Sequence, residues 1–552
     1  MIAAGFLALG ATALMARSVQ LQLFDQAFLN EQADARQIRH ATISAHRGSI
    51  TDRNGEVLAV STPVDSVWVN PQELVSAPER IPMLAKLLGI NQNELTARLS
   101  RNAGKKFLYL KRHMKPADAE RIEKQDIPGV NLQREYRRYY PAAEVTGHLI
   151  GFANIDDVGQ EGLELAFDHR LAGHPGSKRV LKDRRGQFVE DIERIKAPEP
   201  GQDIVTSIDL RIQYLAYREL KKAVQSHKAS SGSAVVIDVL TGEVLAMVNQ
   251  PSYNPNDRAQ LQVSRFRNRA ITDIFEPGSS IKPLLVAAAL ETGKYRPGTI
   301  IDTSPGQIKV ASKVIKDKHN LGKIDVTTML SRSSNVGASM MALSLEPADL
   351  WGTLNGFGLG HASTSGFPGE SAGVLSHYAN WRPISQATLA YGYGASITPL
   401  QLAQAYAVMG AEGLQRPVSL VRINQPVIPR RIISPESANA VLLMMEAVVN
   451  EGGTGTAAAV PGFRVAGKTG TTRKFGNGGY FEDRYTAIFA GIAPVTNPRL
   501  AVAVVIDDPQ AGQYYGGLVA APVFSKIVAD TTRVLAIPPD DREGILSTVA
   551  LR

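Results

Sequence analysis

Residues 233–248 read SAVVIDVLTGEVLAMV, two apolar runs that turn at Thr241-Gly242. Short runs rich in Val and Ile and broken by a Gly turn predict a β-hairpin. Just before it lie a strand-like IVTSI (204–208) and an amphipathic helix, LRIQYLAYRELKKAVQ (210–225). Far downstream, RVAGKTG (464–470), YTAIFAGIA (485–493) and LAVAVVID (500–507) read as further apolar strands, followed by a last helix over 522–535. The middle, 279–450, is largely helical with Gly-rich loops. Strands at both ends enclosing helices predict one mostly antiparallel sheet with helices on its faces, an α+β domain.

Upstream the pattern is less regular. Asn54-Gly55 predicts a hairpin turn between ISAHRGSITD (43–52) and EVLAVST (56–62). Residues 72–126 read as helix, and Tyr136-Arg137-Arg138-Tyr139-Tyr140-Pro141 begins an irregular basic-aromatic piece. Such a patch is expected to be an intramolecular salt-bridged face rather than a nucleic-acid site. The Pro/Gly break Ala197-Pro198-Glu199-Pro200-Gly201 marks a domain boundary. The first sixteen residues, MIAAGFLALGATALMA, carry no charge, and snorkelling of Arg17 extends the apolar length to Phe24. This is read as a membrane anchor over 1–24, against a signal peptide cleaved near Ala11-Thr12-Ala13 or a buried helix. A short basic cytoplasmic tail is expected to be missing from its front, and 541–552 read as a loose tail.

The 552 residues are 44% hydrophobic, with 48 Gly, 31 Pro and a formal charge of +8. That is too long for one core and too apolar for a disordered chain, so two or more domains are expected. The absence of cysteine excludes thiol nucleophiles, disulfide scaffolds, iron–sulfur clusters and thiolate zinc sites. The ten histidines show no H-E-x-x-H and no close pairing, so no metal site and no cofactor are expected.

Three motifs compete for the chemistry. Gly462 to Thr469 spells the P-loop G-x-x-x-x-G-K-[ST], but TAAAVP leads in and TGTTRKFGNGG follows, where a phosphate loop needs a strand and then a helix. Gly369-Glu370-Ser371-Ala372-Gly373 spells the hydrolase G-x-S-x-G without the strand and helix of a nucleophile elbow. The third is Ser279-Ser280-Ile281-Lys282, the only S-x-x-K, placed before the helix-like LLVAAALE with Gly278 as a cap. On a helix, Ser279 and Lys282 share a face. A serine needs a base to take its proton, and a buried lysine near other cations can be neutral enough to serve. Amides at the helix start face a developing oxyanion. Pro283 cannot donate to the Ser279 carbonyl, so the first turn must be irregular or hold that carbonyl elsewhere.

An S-x-x-K with an S-D-N-like element and a K-T-G is the signature of serine β-lactamases and penicillin-binding proteins. Lys468-Thr469-Gly470 is the only K-T-G and lies in a predicted strand. There Gly470 would let substrate backbone approach, while Lys468 and the hydroxyls meet a carboxylate. S-x-N occurs at Ser252, Ser333 and Ser437 among other positions, and pattern alone does not choose. Ser252 sits among prolines, Ser437 reads as a cap opening the helix of AVLLMMEAVV, and Ser333-Ser334-Asn335 falls between the other two elements.

With these motifs the chain resembles the class B penicillin-binding proteins, nearest the division-specific transpeptidases of Gram-negative bacteria. Matching pieces run in order through RGSITDRNGEVLAVSTPV, RRYYPAAEVTGHLIGF, GQEGLELAFD, SGSAVVIDVLTGEVLAM, FEPGSSIKP, SSNVG, LAYGYGASITPLQLAQAYA, GKTGT and YYGGLVAAPVF, over roughly 40–535. Ser280 stands where Thr is more usual. The resemblance implies a membrane anchor (1–24), an elongated mixed pedestal of the dimerisation type (25–203) and a penicillin-binding transpeptidase domain with a five-stranded sheet (204–540). It implies a single-pass inner-membrane protein with its catalytic domain in the periplasm, cross-linking stem peptides during septal wall synthesis through a serine acyl-enzyme. Ser279 would be the nucleophile, Lys282 its base, and Ser333 with Lys468 the proton relay to the leaving amine. Asn335 would hold the donor amide, and Thr469, Gly470 and Thr471 would form the carboxylate-binding strand. Implied partners are peptidoglycan stem peptides, lipid-linked nascent glycan, β-lactams, the SEDS glycosyltransferase FtsW and other divisome membrane proteins. The rival functions are a class A-like serine β-lactamase and a non-catalytic divisome scaffold.

Overall fold

The computed structural model describes residues 2–20, 38–182, 188–257, 262–476 and 478–541. Two compact units interleave in sequence. One comprises Met1–Gly48, Val60–Tyr139 and His169–Gln202, the other Ser49–Ala59, Tyr140–Asp168 and Asp203–Arg552.

In the first unit, the strand Val57–Val69 pairs antiparallel with Val130–Tyr139 from Val60 onward, and with Leu108–Met114 from Asp65. Helices Ile81–Leu88, Gln92–Arg101 and Pro116–Glu123 bury Leu84, Leu88, Leu95, Leu99 and Ile122 against Val67, Val69 and Leu110. Leucines four apart share a helix face, which is why these short helices dock here. Gly89, at φ +65°, ends the first helix, and the Asn91 side chain accepts from the amides of Asn93 and Glu94 to start the second. A separate antiparallel sheet joins Ile38–Ile43, Gly176–Lys182 and Phe188–Lys196.

Two sequence expectations fail in this unit. Residues 72–126 are not continuously helical, because Leu108–Met114 forms a strand whose Leu110 and Met114 enter the core. Its LYLKRHM lacks β-branched residues, so pairing rather than propensity makes the strand. The basic-aromatic piece is likewise not irregular up to Tyr139, since it ends the strand Val130–Tyr139. Within it, buried Arg138 Nη1 donates to Ser61 Oγ at 3.1 Å; just before it, Arg134 pairs with Asp65 at 2.9 Å, and buried Glu135 accepts from Arg112 at 3.0 and 3.1 Å and from Ser66. Burial pushes the Glu135 carboxyl up, but Arg112, Ser66 and Tyr109 together hold it below the usual range.

At the N-terminus a helix covers Ile2–Val19. Among the described residues, no helix is long and apolar enough to cross a membrane, so the anchor expected over 1–24 gains no support here. Residues 21–24 and 542–552 of the expected anchor and tail lie outside the described residues.

The second unit is built on an antiparallel five-stranded sheet in the order Val244–Gln250, Ser231–Asp238, Leu500–Asp507, Gly479–Ala493, Ala466–Gly476. This is the sheet the hairpin at 233–248 predicts. Helices Leu210–Ser226 and Ala521–Val534 bury Leu220, Phe524 and Ile527 against Ala234, Val236, Val502 and Val504 on one face. The helix Pro399–Gly410 packs on the other face. With both faces covered, every residue of the two hairpin strands is buried, which explains continuous rather than alternating apolar runs. The Asn54-Gly55 turn forms as expected: Gly55 adopts φ +93°, and Asp52 Oδ1 accepts from the amides of Asn54 and Glu56. The middle is less purely helical than expected. Ribbons Ile300–Asp302 with Lys323–Asp325, and Gln307–Val310 with Lys313–Lys316, interrupt it.

His148 is buried, with Nε2 donating to Arg265 O at 2.8 Å. Burial, assisted by the Arg269 charge, lowers the imidazole to about 4. The folded value lies below the unfolded one of about 6.5, so its stabilisation is complete above that pH and is lost as pH falls towards 4. Denaturant titrations should show up to about 3 kcal/mol of stability lost across this window, and a His148→Gln variant should lose less.

Candidate active site

The segment carrying Ser279 begins as a 3-10 turn, Gly278–Ile281, and continues as the helix Lys282–Glu291. The Lys282 amide donates to the Ser279 carbonyl, the group that Pro283 leaves without a donor. The proline therefore dictates the tighter first turn that the sequence anticipated. Ser280 Oγ donates to Pro277 O at 2.6 Å, and the buried Tyr406 hydroxyl donates to Ser280 O at 2.8 Å. Gly278 is not the cap, since Pro277 holds that position. It must be glycine for another reason: its φ is +55°, and a Cβ would stand 2.5 Å from Thr472 Cγ2.

Lys282 is fully buried. Its Nζ donates to Ser333 O at 2.7 Å, Asn335 Oδ1 at 2.8 Å and Ser333 Oγ at 3.2 Å. A chain break between two helices makes this possible. Ser333 ends the helix Val326–Arg332 in the left-handed region (φ 59°, ψ 42°), and Ser334 caps the helix Asn335–Leu343 by accepting from the Gly337 amide. Asp317 locks the break, accepting from Ser334 Oγ and from the amides of Asn335 and Val336.

Lys468, also fully buried, lies on the edge strand Ala466–Gly476 with Nζ 3.2 Å from Thr469 O. The Thr471 hydroxyl accepts from the Gly516 amide, and Thr469 and Thr454 hydroxyls lie 3.1 Å apart. A Cβ on Gly470 would approach Pro277 O to 2.8 Å, so glycine there lets the strand lie against the nucleophile turn. Burial lowers Lys468 to about 7. Burial and then the Lys468 charge hold Lys282 well below the ordinary lysine range, with Asp317 opposing them. Ser279, Ser333, Asn335, Thr469 and Thr471 line one cleft of about 620 Å³. A hydroxyl beside a lysine able to shed its proton, with a second lysine and hydroxyls opposite, is equipped for acyl transfer.

The competing spellings lack the local structure that their chemistry needs. The P-loop spelling runs into the strand Ala466–Gly476 with no helix after it. In the G-x-S-x-G spelling, Glu370 instead accepts from the Ser363 amide and from Ser365 Oγ in a loop. Ser252 Oγ donates to Glu144 O at 2.6 Å. Ser437 does not cap its helix; Ser434 does, accepting from the Ser437 amide. Asp317 was missed because Lys316-Asp317-Lys318-His319 reads as a solvated charge run, and no spacing ties it to Asn335. Asp317→Ala should lower the rate of Ser279 acylation by a penicillin about tenfold or more, since three donors at the break lose their acceptor. Stopped-flow labelling checks this.

Residues 232–529 match the penicillin binding protein transpeptidase domain, and 42–206 match the penicillin-binding protein dimerisation domain. The chain belongs to the class B penicillin-binding proteins. This penicillin-binding protein is 44% identical over 541 residues to the peptidoglycan D,D-transpeptidase FtsI of Escherichia coli K12, covering 97% of this chain and 92% of that protein. It is 42% identical over 533 residues to the probable peptidoglycan D,D-transpeptidase PbpC of Pseudomonas aeruginosa, covering 97% and 94%. Among solved structures it resembles penicillin-binding protein 3 of Mycobacterium tuberculosis complexed with aztreonam, at TM-score 0.70 and 27% identity over 91% of this chain and 98% of that one. The transpeptidase domain of Burkholderia pseudomallei penicillin-binding protein 3 matches at TM-score 0.57 and 44% identity, covering 61% and 97%. This penicillin-binding protein is a peptidoglycan D,D-transpeptidase.

Proposed function

We propose that the chain cross-links stem peptides at the division septum through an acyl-enzyme on Ser279. Ser279 Oγ attacks the penultimate D-Ala carbonyl, Lys282 takes its proton, and Ser333 with Lys468 returns a proton to the departing D-Ala amine. Asn335 holds the donor amide, and Lys468, Thr469 and Thr471 hold the terminal carboxylate on a strand that Gly470 keeps close to the nucleophile turn. The amides of Ser279 and Thr471 face the oxyanion. An amine of a neighbouring stem then attacks the ester, forming the cross-link and freeing Ser279. β-Lactams enter by the same first step and stay attached. The observation that carries this reading is the meeting of Ser279, Ser333 and Asn335 in one cleft, with buried Lys282 bonded to Ser333 and Asn335 and its proton affinity lowered by burial and by the Lys468 charge.

In this reading residues 1–24 anchor the chain in the inner membrane, 25–203 form the pedestal, and 204–540 act in the periplasm. The uncharged run ahead of Arg17 supports the anchor. The SEDS glycosyltransferase FtsW supplies the lipid-linked glycan, and other divisome membrane proteins hold the pair in place. The test is a reconstitution of the full chain with FtsW on lipid-linked precursor. D,D cross-links are expected, and their absence would overturn the reading. Rapid steady-state nitrocefin turnover would point instead to a β-lactamase.

The buried lysines set the pH dependence. Lys468 must be charged to hold a carboxylate, so the second-order acylation constant should fall as pH rises through about 7 and it deprotonates. On the acid side the constant falls as Lys282 gains a proton and can no longer accept one. Lys468→Arg stays charged and should lose the alkaline limb, at a lower plateau because arginine cannot relay the proton. An alkaline limb unmoved in that variant would assign it to another group.

A further inference from the structure

Glu276 stands three residues before the nucleophile, and the acyl transfer makes no use of it. Among the described residues, neither it nor Tyr480 lines the catalytic cleft. Glu276 Oε1 accepts from the Gly394 amide at 3.1 Å and from the Tyr480 hydroxyl at 2.9 Å, while Oε2 is buried with no hydrogen-bond partner among the described residues. Burying a carboxylate with one oxygen unpaired costs stability. Burial accordingly pushes this carboxyl up, against the bonds from Gly394 and Tyr480.

Those two bonds join three pieces of chain. The first is the lead-in to the nucleophile turn, where Phe275 and Ile397 exchange backbone bonds at 3.0 and 2.9 Å. The second is the loop Gly392–Gly394, set so close to the turn that a Cβ on Gly392 would stand 2.2 Å from Gly278 O. The third is the outer end of the hairpin formed by Ala466–Gly476 and Gly479–Ala493. These strands pair out to Gly476 and Gly479, but Leu500–Asp507 joins them only from Thr486 inward. The overhang is a two-stranded ribbon, marginal without outside support. Lys474 on Asp507 and Arg484 on Asp508 hold its base; nearer the tip, Tyr480 meets the Tyr393 ring at 5.5 Å and the Glu276 carboxylate. Phe275 and Glu276 line a cavity of about 350 Å³ together with Thr472, Arg473, Lys474 and Phe475, so side-chain packing leaves the space between lead-in and strand unfilled.

We propose that Glu276 is a positioning residue: through Tyr480 it holds the strand of Lys468, Thr469 and Thr471 in register with the turn of Ser279, and so sets the rate of acylation. This rests on the acyl-transfer reading and adds the tie between its two halves. Strand and turn already touch where Gly470 meets Pro277 O. A second attachment further out fixes their angle as well as their distance. The hydroxyl of Ser279 and the amide of Thr471 must face one carbonyl from these two elements, and a misplacement of about 1 Å can cost a reaction on the order of 10²-fold.

The experiment is stopped-flow acylation of the full chain by a labelled penicillin, resolved into the dissociation constant of the first complex and the rate constant of the step that follows. Tyr480→Phe removes one exposed oxygen and keeps the ring contacts; it and Glu276→Ala should each lower the rate constant roughly tenfold and change the dissociation constant by less than about twofold. The double variant should also be down about tenfold, where independent effects would multiply to about a hundredfold. Glu276→Gln keeps an acceptor oxygen for both donors and should stay within about threefold of wild type. Rate constants unchanged in Tyr480→Phe, multiplying effects, or glutamine as slow as alanine overturn the proposal. So does a loss confined to the labelled amplitude, which reports unfolded protein rather than a misplaced turn. If penicillin fails to label the wild-type chain, the transpeptidase reading falls; if it labels and Tyr480→Phe reacts at the wild-type rate, only the role of Glu276 falls.

Discussion

Ser279→Ala is expected to abolish penicillin acylation and D,D cross-linking, with loss of at least about 10⁴-fold, because it removes the hydroxyl that carries the ester in the proposed acyl transfer. The fold should be untouched. The turn is held by the Lys282 amide on Ser279 O, by Ser280 Oγ on Pro277 O and by Tyr406 on Ser280 O, and none of these uses the Ser279 side chain. A thermal unfolding midpoint within a degree or two of wild type, beside a silent labelling gel, checks both halves. Cross-linking retained by the alanine variant would make the chain a scaffold or place the nucleophile elsewhere.

Lys282→Met and Lys282→Arg should both cut acylation by roughly 10²–10⁴-fold, the range for losing a positioned general base. The pair separates two roles of the amine. Methionine keeps much of the buried stem but gives up the bonds to Ser333 O, Asn335 Oδ1 and Ser333 Oγ. Arginine can keep a charge and donors there, but cannot release a proton at any accessible pH. If the amine acts as base, arginine is no better than methionine. If its task is only to orient Ser333 and Asn335, arginine should restore activity to within about tenfold of wild type. Burial and the neighbouring Lys468 charge favour the first outcome, since both stabilise the neutral amine.

The sheet was legible because its strands are covered on both faces and so spell continuous apolar runs, as SAVVIDV and LAVAVVID do. The motif residues were legible because only a few side chains can do this chemistry and their spacing keeps them on turns and strands. Pro283 even foretold the tight first turn. Features fixed by distant partners were not legible. Leu108–Met114 is a strand only because Asp65–Val69 pairs with it. Asp317 reads as a solvated charge until the chain folds it onto Asn335, eighteen residues away. Gly470 has the residue type expected of an open substrate strand, yet the atom that forbids a Cβ is Pro277 O of the protein itself. Ser437 resembles a cap, but Ser434, three residues earlier, accepts from the Ser437 amide and holds that position.

The reading of the cleft depends most on which hydroxyl becomes acylated. Incubating the wild-type chain with a labelled penicillin, digesting it and sequencing the labelled peptide tests this directly. A single stoichiometric adduct is expected on Ser279, within the peptide that also contains Lys282 and Pro283. An adduct on Ser333, Ser371 or any other residue, or none at all, would contradict it.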